Sequence, residues 1–476
     1  MAVTNSSPVE LAELGFSRLR ADRERLDRID RYMRGEHDGP YIPRSATEEY
    51  KLLAKRAISN WLPLLVKTPS QAMAVDGYRR SAGPDEATPE ETPVEWRAWQ
   101  DNRMDARQTP VHRAALTYGQ AFATVLRDPT DPARPVIRGV SPRLMHTSYE
   151  DPAADALPLW ALQVETVPDA EGVEARAWLY DATHVYDFLV GGKGSPRLLA
   201  SRLHGMGVCP VVRFAPDIDL EGRVTGVVEP MIPIQDRVNQ TVFDLLVSQT
   251  FGSFKVRTIS GMAPEFRRDP DTGEILYDAN GRPQVIPIQA DASRFLVAPD
   301  VDTKFSQLDE TPLSGFLDAI ELATKHLAAL SQLPPMYLGV GSLTNLSAEA
   351  MAAAEMALSR AVDEYQHALG ESWELVLFLC ATVVGAAPDA QAEVLWKDAE
   401  SRSLAQTVDA LGKAVQMLQV PARAMWSRIP GVTARDVEEW AQIQEADDPG
   451  LRMADAMASA VAPAPDTERL AGGSGE

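Results

Sequence analysis

The chain has 476 residues, 45% hydrophobic and 24% charged, a composition that excludes disorder throughout its length. Its formal net charge of -22 excludes the basic surface by which most DNA-gripping proteins hold phosphates. Neither a membrane span of about 18 apolar residues nor a signal peptide in Met1–Glu10 is recognisable, so we expect a protein made and used in a cytosol, without a membrane partner. At this length we expect several substructures rather than one core.

The N-terminal quarter is predicted to be helical. A charged helix is predicted over Pro8–Arg34, with apolar residues at helical spacing and Arg and Asp alternating between them. Residues 48–75 are predicted as further helix, interrupted near Pro63 and Pro69. A Pro-, Glu- and Thr-rich loop over 81–92 then leads to a helix with two tryptophans.

From Thr117 to Phe214 the apolar period changes from helical to strand-like. Short β-branched or aromatic runs are bounded by turn residues, and they predict an antiparallel sheet beside the N-terminal helices. The fold class is therefore predicted to be α+β. The predicted strands are Gln120–Arg127, Pro135–Val140, Leu159–Thr166, Ala175–Leu179 and Val185–Val190.

A small insert follows a helix predicted over Ile234–Phe251. The insert covers residues 255–288 and has turn signals at 269–273 and 278–281, where Gly and Asn supply the positive φ that hairpins need. Two short strands are predicted in and after this insert, Glu274–Tyr277 and Arg294–Ala298.

Two further helices are predicted on either side of a small-residue loop. Thr311 is a plausible N-cap with Pro312 at the first helical position, and the pair Pro334–Pro335 ends this helix. A stretch of Gly, Ser and Asn precedes a helix capped by Ser347, which at about 1.5 Å per residue would be on the order of 50 Å long. Residues 404–445 are then predicted as two or three short helices, broken at Pro421 and around Pro430.

No constellation of residues predicts catalysis, a metal site or a cofactor. The two cysteines, Cys209 and Cys380, are interpreted as buried thiols, and the seven histidines are scattered without ligand spacing. Gly192–Ser195 lacks the glycine of a phosphate loop, and Asp269–Gly273 departs from a calcium loop, so both are interpreted as hairpin turns. An enzyme therefore has no positive support in the sequence.

The charge is distributed unevenly along the chain. Residues 1–80 hold 14 Lys and Arg against 11 Asp and Glu, whereas residues 340–476 hold 9 against 21. General solubility explains such an acidic excess. The alternative is a surface past which DNA moves without binding.

The order of several local motifs resembles phage portal proteins, specifically the family typified by the portal of Bacillus phage SPP1. Residues 229–239 resemble the entry to the helix before the clip, and Arg294–Pro299 resembles the exit from the clip. Leu333–Gly339 is similar to the Pro-Pro-hydrophobic-Leu-Gly signature that ends the second stem helix. The segments Tyr32–His37 and Val75–Tyr78 also resemble the family.

The resemblance implies the family's architecture. The implied parts are a wing over 1–230, a first stem helix over 231–254, a clip over 255–300, a second stem helix over 301–338, a tunnel loop over 339–346, a long spine helix of the wing over 347–390, a helical crown over 391–447 and a flexible tail over 448–476. The implied assembly is a dodecameric ring of this chain.

The resemblance further implies a non-enzymatic channel for packaging and ejection of double-stranded DNA, at the portal vertex of the virion capsid and assembled in the host cytoplasm. Implied partners are other copies of the chain, the terminase large subunit, the head–tail adaptor, the major capsid and scaffolding proteins, and DNA bound without sequence specificity. No cofactor is implied. Another ring-forming adaptor or capsid protein, or an enzyme of unrecognised type, remains as an alternative.

Two sets of site residues accompany this interpretation. The tunnel loop is expected to face DNA through Gly339, Val340, Gly341, Ser342, Leu343, Thr344 and Asn345. Basic residues near the insert are expected to face the terminase or the adaptor, and solvated hairpin charges explain them equally well; they are Lys255, Arg257, Arg267, Arg268 and Arg282.

Overall fold

The chain divides into two compact units. The computed structural model describes residues 6–42, 48–81, 92–166, 174–191, 195–252, 257–260, 266–279, 281–285, 304–307, 312–340, 348–397, 404–429, 432 and 434–447. The larger unit contains Met1–Glu36, Asn60–Pro233 and Leu327–Glu476, and the smaller unit contains His37–Ser59 and Ile234–His326.

Helices dominate both ends of the described chain. In chain order the α-helices of the described residues are α1 (Pro8–Met33), α2 (Glu48–Arg56), α3 (Leu62–Gln71), α4 (Val94–Asp101), α5 (Met104–Tyr118), α6 (Ile232–Gly252), α7 (Ser314–Leu330), α8 (Ala348–Val384), α9 (Leu404–Leu418), α10 (Ala422–Met425) and α11 (Ala434–Asp447). Helix α8 has 37 residues, which corresponds to about 55 Å at about 1.5 Å per residue.

The strands lie mainly in the middle of the larger unit. They are β1 (Val75–Arg79), β2 (Ala121–Arg127), β3 (Pro135–Val140), β4 (Met145–Ser148), β5 (Trp160–Val164), β6 (Glu174–Tyr180), β7 (His184–Gly191), β8 (Arg197–Leu203), β9 (Val211–Phe214), β10 (Arg257–Ser260), β11 (Lys304–Gln307) and β12 (Glu393–Trp396). Every strand pairing in the described residues is antiparallel, and the α+β fold class predicted from the sequence is confirmed.

The larger unit is built in layers. A five-stranded sheet has the order β4-β5-β6-β7-β8, and a three-stranded sheet has the order β3-β2-β9. Helix α1 packs on one face of the larger sheet through Phe16 and Leu19, which contact Trp160 and Phe188. The opposite face packs on the three-stranded sheet in a second core cluster. Helices α5 and α8 contact the three-stranded sheet in turn. Burial of apolar side chains on both faces of the inner strands holds these layers together.

Polar contacts fix the position of α1 on this body. Ser7 caps the helix in a capping box with Glu10, which satisfies two backbone N–H groups. On the inner side of α1, Arg143 donates to Asp27 at 2.7 Å and lies 2.9 Å from Asp30. Burial raises the pKa of the Asp27 carboxyl, but hydrogen bonding and charge from Arg143 outweigh it and hold that pKa below its usual value.

An aromatic cluster forms the centre of the larger unit. Trp373 of α8 lies edge-on to Trp99 at 5.0 Å and to Phe214 at 4.5 Å between ring centroids. Its indole N–H donates to Nε2 of His112 at 2.8 Å. Because His112 is wholly buried, burial lowers its pKa from 6.5 to about 4. The ring is therefore neutral near pH 7 and serves as a hydrogen-bond acceptor in the core.

The smaller unit has its own core between α2 and α6. Phe243 of α6 packs against Leu53 and Ala54 of α2. Beside this apolar contact, Asn239 donates to His37 at 2.8 Å and accepts the backbone N–H of Ser59 at 3.2 Å. Strands β10 and β11 form a two-stranded ribbon in the same unit.

Several predicted elements need correction. In the predicted helical segment over 48–75, the break near Pro63 is confirmed by the gap between α2 and α3, but Pro69 lies inside α3 and does not interrupt it, and Val75 begins β1. Pro312 precedes α7 by two residues instead of occupying its first turn. Residues 274–277 form single bridges at Ile275 and Tyr277, not a continuous strand. The predicted strand over 294–298 and the caps Thr311 and Ser347 lie outside the described residues.

Candidate functional site

The segment that leads into the predicted tunnel loop turns sharply after α7. Gln332 adopts a left-handed φ of 56°, and Leu333 next to it is buried. Pro334 then precedes a 3-10 turn over Pro335–Leu338, and Leu338 is also buried. Proline fixes φ and lacks an N–H group, so two consecutive prolines prevent α7 from continuing.

Gly339 ends this turn in the left-handed region, with a φ of 74°. A Cβ at this position would lie 3.8 Å from the Trp61 ring, so the backbone conformation, and not lack of space, favours glycine there. Val340 donates its N–H to Pro335 at 3.2 Å and is only 8% exposed. The other loop residues, Gly341, Ser342, Leu343, Thr344 and Asn345, lie outside the described residues. Contact between this loop and DNA stays a prediction.

A side-chain hydrogen bond connects the two sides of the loop. The Tyr337 hydroxyl, before the loop, donates to Oε1 of Glu355 in α8 at 2.8 Å. This hydrogen bond raises the pKa of Tyr337, because losing the phenolic proton would place two negative charges together. This hydrogen bond therefore joins the turn before the loop to helix α8 after it.

The predicted clip contains two tight turns in the smaller unit. Asp269 accepts the backbone N–H of Asp271 at 2.9 Å and of Thr272 at 3.2 Å. These hydrogen bonds lower the pKa of the Asp269 carboxyl. In the second turn Asp278 accepts the N–H of Arg282 at 2.8 Å. Both aspartates therefore stabilise turns through their side chains, as the sequence interpretation of this insert expects.

The basic residues of the insert are partly described. Arg267, Arg268 and Arg282 are exposed on the two turns, and Arg268 donates to the carbonyl of Gly273 at 3.1 Å. Arg257 begins β10, and Lys255 lies outside the described residues. Their role toward a terminase or adaptor stays a prediction.

Acidic groups, thiols and one hollow are the other places in the described residues where chemistry could take place. No group of three His, Cys, Asp or Glu side chains in them is arranged to hold a metal ion. Cys209 and Cys380 are free and buried, and burial raises the pKa of both thiols. A hollow of about 310 Å³ lies between α1 and the end of β7, and neither a histidine nor a cysteine lines it. Phe16 and Val190 contribute apolar side chains to its lining.

Helix α8 is long and apolar enough over Ala353–Val384 to cross a membrane by length and composition. More than half of its most apolar stretch is buried inside the protein. A buried core helix has the same length and composition, so one such helix gives weak grounds for a membrane span.

A family comparison accounts for most of the chain. The sequence model of the family described as phage portal protein, SPP1 Gp6-like, matches residues 17–450. The chain belongs to this family. The match includes both units and the whole segment from α6 through the loop to α8. Family membership makes the protein a structural component of a phage, and the resemblance inferred from its sequence motifs is confirmed.

Two curated portal family relatives are similar over most of their length. The portal protein of Mycobacterium phage D29 is 28% identical over 365 residues, which cover 74% of this chain and 71% of the relative. The portal protein of Mycobacterium phage L5 is 27% identical over 400 residues, which cover 81% of this chain and 76% of the relative.

A solved structure described as the neck of an empty GTA particle, computed with C6 symmetry, covers 81% of this chain and 92% of its own chain. Its TM-score is 0.43 and its sequence identity is 12%.

Sequence reasoning did not find the hydrogen bond between Tyr337 and Glu355. Both residues flank the loop, but 18 positions separate them, and the motif that contains Tyr337 gives no indication of a partner in α8. Strand β8 was also missed, because its seven residues have no alternation of buried and exposed positions.

Proposed function

We propose that this portal-family chain forms a ring-shaped channel at one vertex of a phage capsid, through which double-stranded DNA is packaged and later ejected. The single observation that carries the proposal is the family match over residues 17–450. The order of helix, hairpin insert, helix, loop and long helix agrees with it. We further propose that the ring contains twelve subunits and assembles in the cytoplasm of the bacterial host.

The charge of the chain supports a channel that DNA passes without being held. Neutralisation of phosphates by Lys and Arg, with release of counterions, supplies most nonspecific DNA affinity. A chain with a net charge of -22 offers little of it, and an acidic lining would repel phosphates. DNA in such a channel would slide, because no strong contact would have to be broken at each step.

Exposed apolar side chains support assembly into a ring. Leu317 and Leu322 on α7 are 56% and 55% exposed, and Met356 on α8 is 50% exposed. Apolar residues that form a contiguous exposed patch mark surfaces at which proteins associate. Repeated contacts between different surfaces of neighbouring copies would cover them and close a ring.

We propose that residues 339–346 form the part of the channel that contacts moving DNA. The anchoring of Gly339 and Val340 by the turn at Pro335 supports a loop with a fixed base. Gly339→Ala should impair packaging because alanine adopts a φ of 74° only with strain. Unchanged packaging by that variant would argue against the role of the loop, and Gly315→Ala, at a helical glycine with open space around it, is the matched control.

We propose that the remaining parts have the roles implied by the family. The insert, including Arg267, Arg268 and Arg282, would bind the terminase or the head–tail adaptor. Residues 1–230 and 347–390 would form the wing that contacts capsid and scaffolding proteins, and residues 391–447 would form the crown. The energy for packaging would come from ATP hydrolysis by the terminase, so this chain would have no catalytic step of its own.

The location at one vertex is tested by labelling particles with an antibody against this chain. A single gold particle at one vertex, at the junction with the tail, is the expected result. Labels at all vertices, or along the tail only, would exclude a portal and favour another capsid or adaptor protein.

A further inference from the structure

Strand β8 has an unusual surface for a strand in a five-stranded sheet. All seven of its residues are exposed, and no strand in the described part of the chain pairs with its outer edge. Leu198, Leu199 and Leu203 are 44%, 49% and 72% exposed. Folded proteins usually cover an edge strand that carries apolar side chains, because it otherwise pairs with other chains.

The register with β7 sorts the side chains of β8 into two rows. Phe188 of β7 points toward α1 and lies opposite Leu198, so Leu198 and Leu203 are on the α1 side of the sheet. Arg197 and Arg202 lie opposite β7 residues that point the other way. The strand therefore presents a leucine row on one face and an arginine row on the other, which we call the β8 surface.

A hairpin elsewhere in the larger unit has the complementary composition. Residues 217–224, the acidic hairpin, carry three carboxylates at Asp217, Asp219 and Glu221 and one arginine, Arg223, which pairs with Glu221 and lies 3.9 Å from Asp219. Leu220 lies at its tip and is 98% exposed. An exposed leucine between two carboxylates in sequence complements a strand that carries leucines on one face and arginines on the other.

Hydrogen bonds within the acidic hairpin fix its conformation before it binds a partner. Asp219 accepts the N–H of Glu221 at 2.9 Å and of Arg223 at 2.8 Å, and Ile218 forms an antiparallel bridge with Val224. A contact made by such a preformed hairpin loses little conformational entropy on binding.

We propose that the acidic hairpin of one subunit binds the β8 surface of the next subunit. The inference rests on the proposed ring and names one of its interfaces. Leu220 would pack on the leucine row, and Glu221, which pairs with Arg223 in its own subunit, would share its carboxylate with Arg197. The hollow lined by Phe16 and Val190, which adjoins the start of β8, gives room for the leucine. Each copy carries both surfaces, so the contact is heterologous and repeats around a ring.

Charge favours a second copy of this chain as the occupant. The chain as a whole is acidic, whereas β8 carries two arginines, Arg197 and Arg202, on one face and exposed leucines on the other. Arg202 lies 3.6 Å from Asp187 in its own subunit, which leaves Arg197 as the main partner for an incoming carboxylate. Opposite charges across an interface set register and orientation more than affinity.

Disulfide cross-linking in the full chain tests the contact. Leu198→Cys and Leu220→Cys are made singly and together, and the native thiols do not interfere because Cys209 and Cys380 are 2% and 0% exposed. A mixture of the two single variants should give a cross-linked dimer on oxidation, and the double variant should give a ladder up to the full ring. Met417→Cys, at a residue 78% exposed, mixed with Leu220→Cys is the control and should not cross-link.

Rings of the double variant that show no cross-link after oxidation would overturn the interface and leave the portal function standing. Absence of rings from the unaltered protein would overturn both. Charge reversal gives a second readout that does not depend on cysteine. Arg197→Glu and Glu221→Lys should each lower the fraction of protein in rings, and the double variant should restore it; no restoration would count against the pairing.

Discussion

Replacement of the buried histidine His112 tests the account of the larger core. His112 is neutral because burial lowers its pKa from 6.5 to about 4, and its Nε2 accepts the indole N–H of Trp373. In the unfolded chain the ring has its ordinary pKa and takes up a proton as the pH falls through 6.5. The native ring stays neutral until the pH approaches 4. The contribution of the neutral ring to stability is therefore complete above pH 6.5 and is lost as the pH falls toward 4.

The size of this loss follows from the shift in pKa. One pKa unit corresponds to about 1.4 kcal/mol, so the fall from 6.5 to about 4 is worth about 3 kcal/mol of unfolding free energy between pH 7 and pH 4. His112→Gln keeps an acceptor for the Trp373 N–H and does not titrate. Its unfolding free energy should consequently decline about 3 kcal/mol less over this pH range than that of the unaltered chain.

Urea unfolding at pH 7 and pH 4, followed by tryptophan fluorescence, measures the difference. Comparison of the two proteins cancels the pH dependence of all other groups. Equal declines in stability for both proteins would refute the assignment of a neutral, buried acceptor to His112. A steeper decline in the variant would refute it as well.

Three further substitutions have expected outcomes in thermal unfolding. Gly226→Ala should destabilise the chain by about 2 kcal/mol or more, because its Cβ would lie 2.5 Å from the carbonyl oxygen of Thr117; a neutral result would contradict that close approach. Gly412→Ala should stabilise α9 by about 0.5–1 kcal/mol, since no atom of the described residues lies within 4 Å of the new methyl group, and a loss would show that the helix packs there. Asn102→Ala should cost about 1–3 kcal/mol because it leaves the buried N–H of Ile137 unpaired, and a change below that range would mean that water replaces the amide.

The sequence predicted elements whose pattern is local. Helix α1 has a capping box and an apolar stripe, and its predicted span differs from the observed one by a single residue. Strand β3 was predicted at its observed bounds, because β-branched residues stand between clear turns. These signals lie within a few residues of one another, so no tertiary contact is needed to interpret them.

Elements that depend on distant partners were missed. Strand β1 pairs with β12, more than 300 positions away, and its first residue, Val75, was assigned to the predicted helical segment over 48–75. Strand β9 has only four residues and is defined by pairing with β2. The contacts of Arg143 with α1 likewise join residues over 100 positions apart. A single sequence contains no record of such pairings.

For the candidate site, the family motifs predicted where the loop lies in the sequence, but they did not predict the contacts that hold its ends. The signature at Leu333–Gly339 located the turn, and the structure adds the buried leucines and the hydrogen bond from Tyr337. A hydrogen bond between two exposed side chains on separate elements depends on how those elements pack. No composition or spacing rule predicts it.

The most direct test of the portal function is negative-stain electron microscopy of the purified protein, combined with light scattering for its mass. The account predicts rings with a central channel and a mass of about twelve subunits. A stable monomer or dimer over a wide range of protein concentration would contradict it.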